Sequence, residues 1–210
     1  MQRAPEPELM DDDEQARAYA EADFSEPHQQ LIESFRRRFP GLDVEGAVLD
    51  LGCGPADVTV RFARAFPRCA IDGVDGAEAM LRYGRERVLR EGLDGRVRLT
   101  RAYLPDEAPP SAPYDVVISN SLLHHLADAT TLWTSVKRFV KKGAPVFIMD
   151  LLRPADEETA RALVVEHSAE EPEVLQRDFH ASLLAAYTLE EVRAQLRAHG
   201  LGHLSVAAES

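Results

Sequence analysis

The chain has 210 residues, with 36 Asp and Glu against 24 Lys and Arg, a net charge of −12 and a hydrophobic share of 45%. That length fits one domain with a substantial core. The composition excludes three classes: a nucleic-acid enzyme with a basic face, a protein with an apolar run of the roughly 20 residues needed to span a bilayer, and a metal or disulfide scaffold built on paired cysteines, since Cys53 and Cys69 stand alone.

The acidic excess is local. Residues 15–155 balance at 19 acids and 19 bases, whereas residues 1–14 hold six acids and one base, and residues 156–173 seven acids and one base. Residues 1–14, charged and poor in apolar side chains, read as a mobile acidic segment. They lack the basic and apolar regions of a signal peptide, so a cytoplasmic location is expected. One domain then runs over residues 15–210. Ser25, Glu26 and Pro27 start a helix. Leu31, Ile32, Phe35 and Phe39 recur at helical spacing, and Pro40-Gly41 ends it. Arg36, Arg37 and Arg38 close that helix, where cations favour the dipole.

From Ala47 onward strand and helix patterns alternate. Strands are expected near 47–51, 70–75, 97–101, 114–119, 145–151 and 203–207, and helices near 56–66, 77–90, 129–141, 156–167 and 188–199. This alternation predicts an α/β fold with a doubly wound, mostly parallel sheet and helices on both faces. Pro105 to Pro113 is a loop. Asp178 to Tyr187 is expected to be a short helix or an ordered turn. Thr188 with Glu191 forms a capping box, and the helix it opens ends at Gly200.

The most informative segment is Val48-Leu49-Asp50-Leu51-Gly52-Cys53-Gly54-Pro55-Ala56-Asp57. A buried strand ends in an acid, and a Gly-x-Gly turn leads into a helix, bringing bare backbone near a ligand. A dinucleotide fingerprint would want a third glycine where Asp57 stands, and Asp50 would repel a pyrophosphate. A nicotinamide dehydrogenase is thereby disfavoured. A second acid-ending strand, Ile71-Asp72-Gly73-Val74-Asp75, follows about 20 residues later, at the distance from which an acid reaches ribose hydroxyls.

Taken in order, VLDLGCGPADVTVRFARAFP, IDGVDGAEAML, YDVVISNSLLHHL and GAPVFIMDLLRP resemble the class I S-adenosylmethionine-dependent methyltransferases over roughly residues 45–154. The resemblance implies a Rossmann-like cofactor core at 45–154, an N-terminal helical lid at 15–44, an acidic helical lid segment at 155–187, and a last helix and strand at 188–210. It also implies S-adenosyl-L-methionine as cofactor, with S-adenosyl-L-homocysteine as product. Gly52, Cys53 and Gly54 would approach the amino-acid end of the cofactor and Asp50 its ammonium group. Asp75, followed by Gly76, would take the ribose hydroxyls, and Met80 with Ala77 would line the adenine.

Where the family often has Gly-Asp after the third strand, this chain has Ala102 and Tyr103, so Tyr103 is expected at the adenine instead. Asn120 and Ser121 would sit near the sulfonium, with Asn120 and His124 as the catalytic candidates and one of two adjacent histidines facing the cleft. Tyr19, Phe24, His125, Arg153 and Phe179 are the candidates for holding the acceptor. No Cys/His cluster has metal-ligand spacing, so no metal is expected. The family's sheet ends in an antiparallel hairpin, and the chain stops at Ser210 after room for only its first strand.

The expected function is methyl transfer to a small-molecule acceptor, in a monomer or homodimer that engages neither nucleic acid nor membrane. Two alternatives stand beside it. One is a cofactor-binding protein without catalysis. The other is an enzyme resembling the carboxy-S-adenosylmethionine synthases, for which only Arg153 and Arg177 offer cations.

Overall fold

Strand β1 (Gly46–Leu51) is apolar on both faces except for Asp50, as a strand covered on both sides requires. It pairs in parallel with β2 (Cys69–Asp75) and with β4 (Val116–Asn120). Further parallel pairs join β2 to β3 (Val97–Arg101) and β4 to β5 (Val146–Met149). The sheet order is β3-β2-β1-β4-β5, a doubly wound arrangement in which the order of successive strands reverses between β1 and β4 while all strands stay parallel. Ligands of such sheets bind outside the carboxyl ends of the strands at that reversal. The computed structural model describes residues 1–6 and 9–209.

The chain divides into two compact units, one of residues 10–120 with 136–149, the other of residues 1–9, 121–135 and 150–210. The first, the sheet unit, also holds α1 (Asp13–Glu21), α2 (Ser25–Arg38), α3 (Asp57–Ala65) and α4 (Glu78–Arg90). Its core joins Leu31, Ile32 and Phe35 of α2, Phe62 of α3, and Val48, Ile71 and Ile118 of the strands. Phe35 sits edge-on to both Phe62 and Phe147, at ring-centroid distances of 5.1 and 5.8 Å. The helical periodicity of Leu31, Ile32 and Phe35 therefore marks the face that packs. The helix starts at Ser25 itself, whose N–H is held by Asp23, with Phe24 as the cap residue.

Asp57, which occupies the place of a third glycine, is the hub of the helices around β1. Its carboxylate meets His28 Nδ1 of α2 at 2.8 Å, Arg61 Nε of α3 at 2.6 Å, and Arg87 of α4. Arg87 also donates to the carbonyl of Ala20 in α1 at 3.0 Å. Partial burial works to raise the Asp57 pKa, but the bonds from His28 and Arg61 and the Arg87 charge outweigh it and hold the carboxyl well below the usual range. Stability from such a group is complete above its unfolded pKa, near 4, and is lost as pH falls below that. Asp57→Ala should cost about 2–3 kcal/mol at pH 7, and the gap to the wild type should close in urea melts taken toward pH 2.

The second, helical unit contains a 3-10 turn (Leu123–His125), α6 (Glu157–Ser168), α7 (Glu173–Ala185) and α8 (Leu189–Ala198). Helix α5 (Thr130–Phe139) is shared by the two divisions of the chain. The capping box is formed as the sequence requires, with Thr188 Oγ1 accepting from Glu191 N and Glu191 Oε2 accepting from Thr188 N. The turn or short helix expected near Asp178–Tyr187 is the second half of the thirteen-residue α7.

One expectation is corrected. Residues 203–207 form no strand, so the described residues carry five strands, all parallel. The alternation of Leu204 and Val206 has no partner strand to hydrogen-bond. Within residues 1–14, Ala4 N donates to Leu184 O at 3.0 Å, Asp11 accepts from Ala79 N at 3.0 Å, and Asp12 caps α1.

Candidate functional site

In the sheet unit the turn after β1 is tied to the end of β2. Gly52 N and Cys53 N both donate to Val74 O, at 2.9 and 3.1 Å. Gly52 (φ 70°), Gly54 (φ 49°) and Ala56 (φ 61°) all have left-handed backbone, which bends the chain sharply into α3. Gly54 faces open space, so its glycine serves the backbone angle and the clear approach. Asp75 fixes the turn from the other side. Its Oδ2 accepts from Gly54 N at 2.9 Å and its Oδ1 from Ala77 N at 2.8 Å. Asp11 meanwhile caps the first turn of α4 through Ala79 N.

Asp50 is 1% exposed. Thr59 Oγ1 of α3 donates to its Oδ2 at 2.6 Å. Burial raises its pKa to about 7 against the pull of that bond, and the nearby Asp75 charge adds to the rise. Cys53 is buried as well. Burial, then Asp75 and Asp50, push its thiol well above the ordinary value, so it is not a nucleophile at neutral pH. Gly73 of β2 has no room for a side chain: an added Cβ would stand 2.6 Å from Leu99 and 3.0 Å from Cys53. Gly73→Ala should therefore displace Cys53 in the turn and cost about 1–3 kcal/mol, measurable as a lower melting temperature.

Asn120 ends β4, one residue beyond the Leu51↔Ser119 pair, and Ser119 Oγ donates to Leu51 O at 2.7 Å. Met80 is buried with Ala16, Ala77 and Ala79, and Met10, Tyr19 and Tyr83 pack against them. Tyr19 also lies 4.7 Å, ring to ring, from Phe24. Tyr103 is 46% exposed, with its hydroxyl bonded to Arg101.

In the helical unit, Ser121 has φ 55° and leads into the 3-10 turn that carries His124 and His125. His124 is buried and its Nδ1 lies 2.6 Å from Asp150 Oδ1. Asp150 Oδ2 accepts from Leu123 N at 2.7 Å, and Oδ1 from Leu151 N at 2.9 Å. Glu6 completes the group: its Oε1 lies 3.7 Å from His124 Nε2 and 3.1 Å from His125 Nδ1. Arg153 is committed to Glu191 at 2.7 Å and to Ala186 O at 3.3 Å, with its Nε buried and unpartnered. Phe179 is half-buried on α7.

Glu6, Thr59 and Asp150 were not singled out from the sequence. Asp150 did carry the signal, an acid closing an apolar strand as Asp50 and Asp75 do. Glu6 and Thr59 had none.

A family model described as a methyltransferase domain matches residues 48–143. Trans-aconitate 2-methyltransferase of Azoarcus sp. is 29% identical over 140 residues, which is 67% of this chain and 52% of that protein. The chain thus spans about half the length of this curated relative. Among solved structures, an S-adenosylmethionine-dependent methyltransferase from Aquifex aeolicus superposes with a TM-score of 0.64 at 18% identity, covering 90% of this chain and 88% of the other. A Haemonchus contortus phosphoethanolamine N-methyltransferase 2, solved with S-adenosyl-L-methionine, superposes with a TM-score of 0.65 at 20% identity, covering 90% of this chain and 41% of the other. At these identities the structural likeness is one of fold.

Proposed function

We propose that the chain is a class I S-adenosylmethionine-dependent methyltransferase that binds S-adenosyl-L-methionine in the sheet unit and transfers its methyl group to a small-molecule acceptor. The observation that carries this reading is the pair of strand-ending acids around the glycine turn. Asp50 is a buried carboxyl whose hydrogen bond among the described residues comes from Thr59, and it suits a cationic ammonium group. Asp75 orders the turn through Gly54 N, and as an acceptor-only carboxylate at a strand end it suits vicinal hydroxyls. Two carboxylates at this spot disfavour a pyrophosphate and hence a nicotinamide cofactor.

Methyl transfer is an in-line displacement at a sulfonium. The protein's task is to hold the acceptor in line and to exclude water, and an anionic or amine acceptor needs no base. No helix among the described residues is long and apolar enough to cross a membrane. The neutral charge balance of residues 15–155 supports a small acceptor over a nucleic acid. The carboxy-S-adenosylmethionine alternative weakens, because its two candidate cations are engaged, Arg153 by Glu191 and Arg177 by Asp178.

The test is a thermal shift with S-adenosylmethionine, S-adenosylhomocysteine and NAD. Ligand at 100 times its Kd stabilises the native state by about 2.7 kcal/mol. A rise with the two adenosyl ligands alone is expected, and a rise with NAD alone would overturn the reading. Transfer of labelled methyl from the cofactor to any component of a small-molecule extract then separates the enzyme from a binding protein that has lost its chemistry.

A further inference from the structure

We propose that Glu6, His124 and His125 form a binding site for a divalent transition metal ion of the zinc class. Glu6 Oε1, His124 Nε2 and His125 Nδ1 all lie within 4.8 Å of one another. Two of the separations, 3.1 Å from Glu6 to His125 and 3.7 Å from Glu6 to His124, are those of a coordination shell. Bonds of about 2.0–2.1 Å to a tetrahedral zinc ion put its ligand atoms about 3.3 Å apart.

Three further features point to a ligand. The first is orientation. Asp150 accepts from His124 Nδ1 at 2.6 Å and is itself held by Leu123 N and Leu151 N. Bonding at Nδ1 leaves the lone pair of a neutral imidazole on Nε2, the atom aimed at Glu6. A carboxylate behind a ligating histidine is the usual supporting contact of such sites. The second is an orphan. His125 Nδ1 is buried and makes no aligned hydrogen bond, its 3.1 Å approach to Glu6 notwithstanding. Buried nitrogens left this way are rare, and a metal would use the lone pair. The third is the anchoring of Glu6. Ser182 Oγ donates to its carboxylate at 3.1 Å, and Ala4 N and the Arg3 guanidinium, bonded to the carbonyls of His124 and Leu126, hold its segment.

Charge points the same way. Glu6 and Asp150 bring two carboxylates to two histidines whose ring centroids are 4.2 Å apart. One divalent cation balances the two carboxylates. Two imidazole nitrogens favour a zinc-class ion over magnesium or calcium, and three protein ligands leave a position for water. His124 as a ligand has no lone pair left to accept a proton, so this assignment replaces the base role expected from sequence.

The experiment uses the full chain without a polyhistidine tag, stripped with a chelator and titrated with Zn2+ against a chromophoric competitor, with Co2+ read by its visible bands and Mg2+ as the hard-ion control. One equivalent of Zn2+ should bind, and Mg2+ should not compete. Glu6→Gln and His125→Ala should each weaken binding at least 100-fold, and Asp150→Asn about 10–100-fold through His124. His167→Ala, an exposed histidine outside the cluster, should bind as the wild type does. Circular dichroism checks that each variant is folded. Absent stoichiometric binding, or binding unchanged in folded Glu6→Gln and His125→Ala, overturns the proposal. Both readouts are independent of the cofactor, so failure here leaves the methyltransferase reading standing.

Discussion

Asp75→Ala should abolish the thermal shift with S-adenosylmethionine and lower the stability of the unliganded chain by about 2–4 kcal/mol, because the two backbone N–H groups of Gly54 and Ala77 lose their acceptor in a partly buried turn. The two effects have different sources. The stability loss comes from unsatisfied donors, and the binding loss from the missing acceptor for the ribose together with a relaxed turn. Asp75→Asn separates them. The amide keeps one oxygen, so one N–H remains satisfied, while its NH2 group faces a donor. The variant should recover part of the stability in urea melts and little of the shift. A normal shift in folded Asp75→Ala would remove Asp75 from the cofactor site.

The sheet and its order of motifs could be read from the chain because each carries its own local signal. Val48 to Leu51 is a continuous apolar run, and the Gly-x-Gly turn needs left-handed angles at Gly52 and Gly54. Thr188 and Glu191 announce their helix by chemistry confined to four residues. What escaped depends on contacts distant in sequence. Helix α1 buries only Ala16 and has almost no apolar face, so periodicity passed over it, although Asp12 is a sound cap. Pro172 just before Glu173 marks the start of α7, but most of the buried side chains of that helix, Ser182, Leu183 and Ala185, lie in its last turn. Leu204 and Val206 alternate like a strand, yet alternation cannot say whether a neighbouring edge exists.

The candidate metal group is the clearest case. Two adjacent histidines suggest that only one can face a cleft on a regular α-helix, but they lie on a 3-10 turn, and both face a carboxylate from the far end of the chain. Nothing in the local sequence of Glu6 distinguishes it from the other acids of an acidic terminus. The sheet unit resolves a similar ambiguity at Asp57, which sequence read only as a missing glycine and structure makes the tie among four helices.

Asp50→Asn should stabilise the chain and weaken cofactor binding at the same time. The Asp50 carboxyl is raised to about 7 by burial, so between its unfolded pKa, near 4, and pH 7 the unfolded chain gives up this proton and the folded chain does not. Stability therefore falls as pH rises through that window and levels off above it. Asparagine carries no such penalty and can still accept the hydrogen bond from Thr59 Oγ1. The gap between Asp50→Asn and the wild type should be near zero at pH 4 and grow to a plateau above pH 7, with an upper bound of about 4 kcal/mol for a shift of about three units.

Binding runs the other way. An ammonium group requires the ionised carboxylate, so wild-type affinity for S-adenosylmethionine should rise nearly tenfold per pH unit up to about 7 and flatten beyond, with proton release on binding near pH 6. Calorimetry in two buffers of different ionisation enthalpy measures that release. Asp50→Asn should bind more weakly, without the pH dependence and without the proton. Wild-type affinity that is flat from pH 5.5 to 8, or a variant that binds as tightly as the wild type, would show that the ammonium group is held elsewhere.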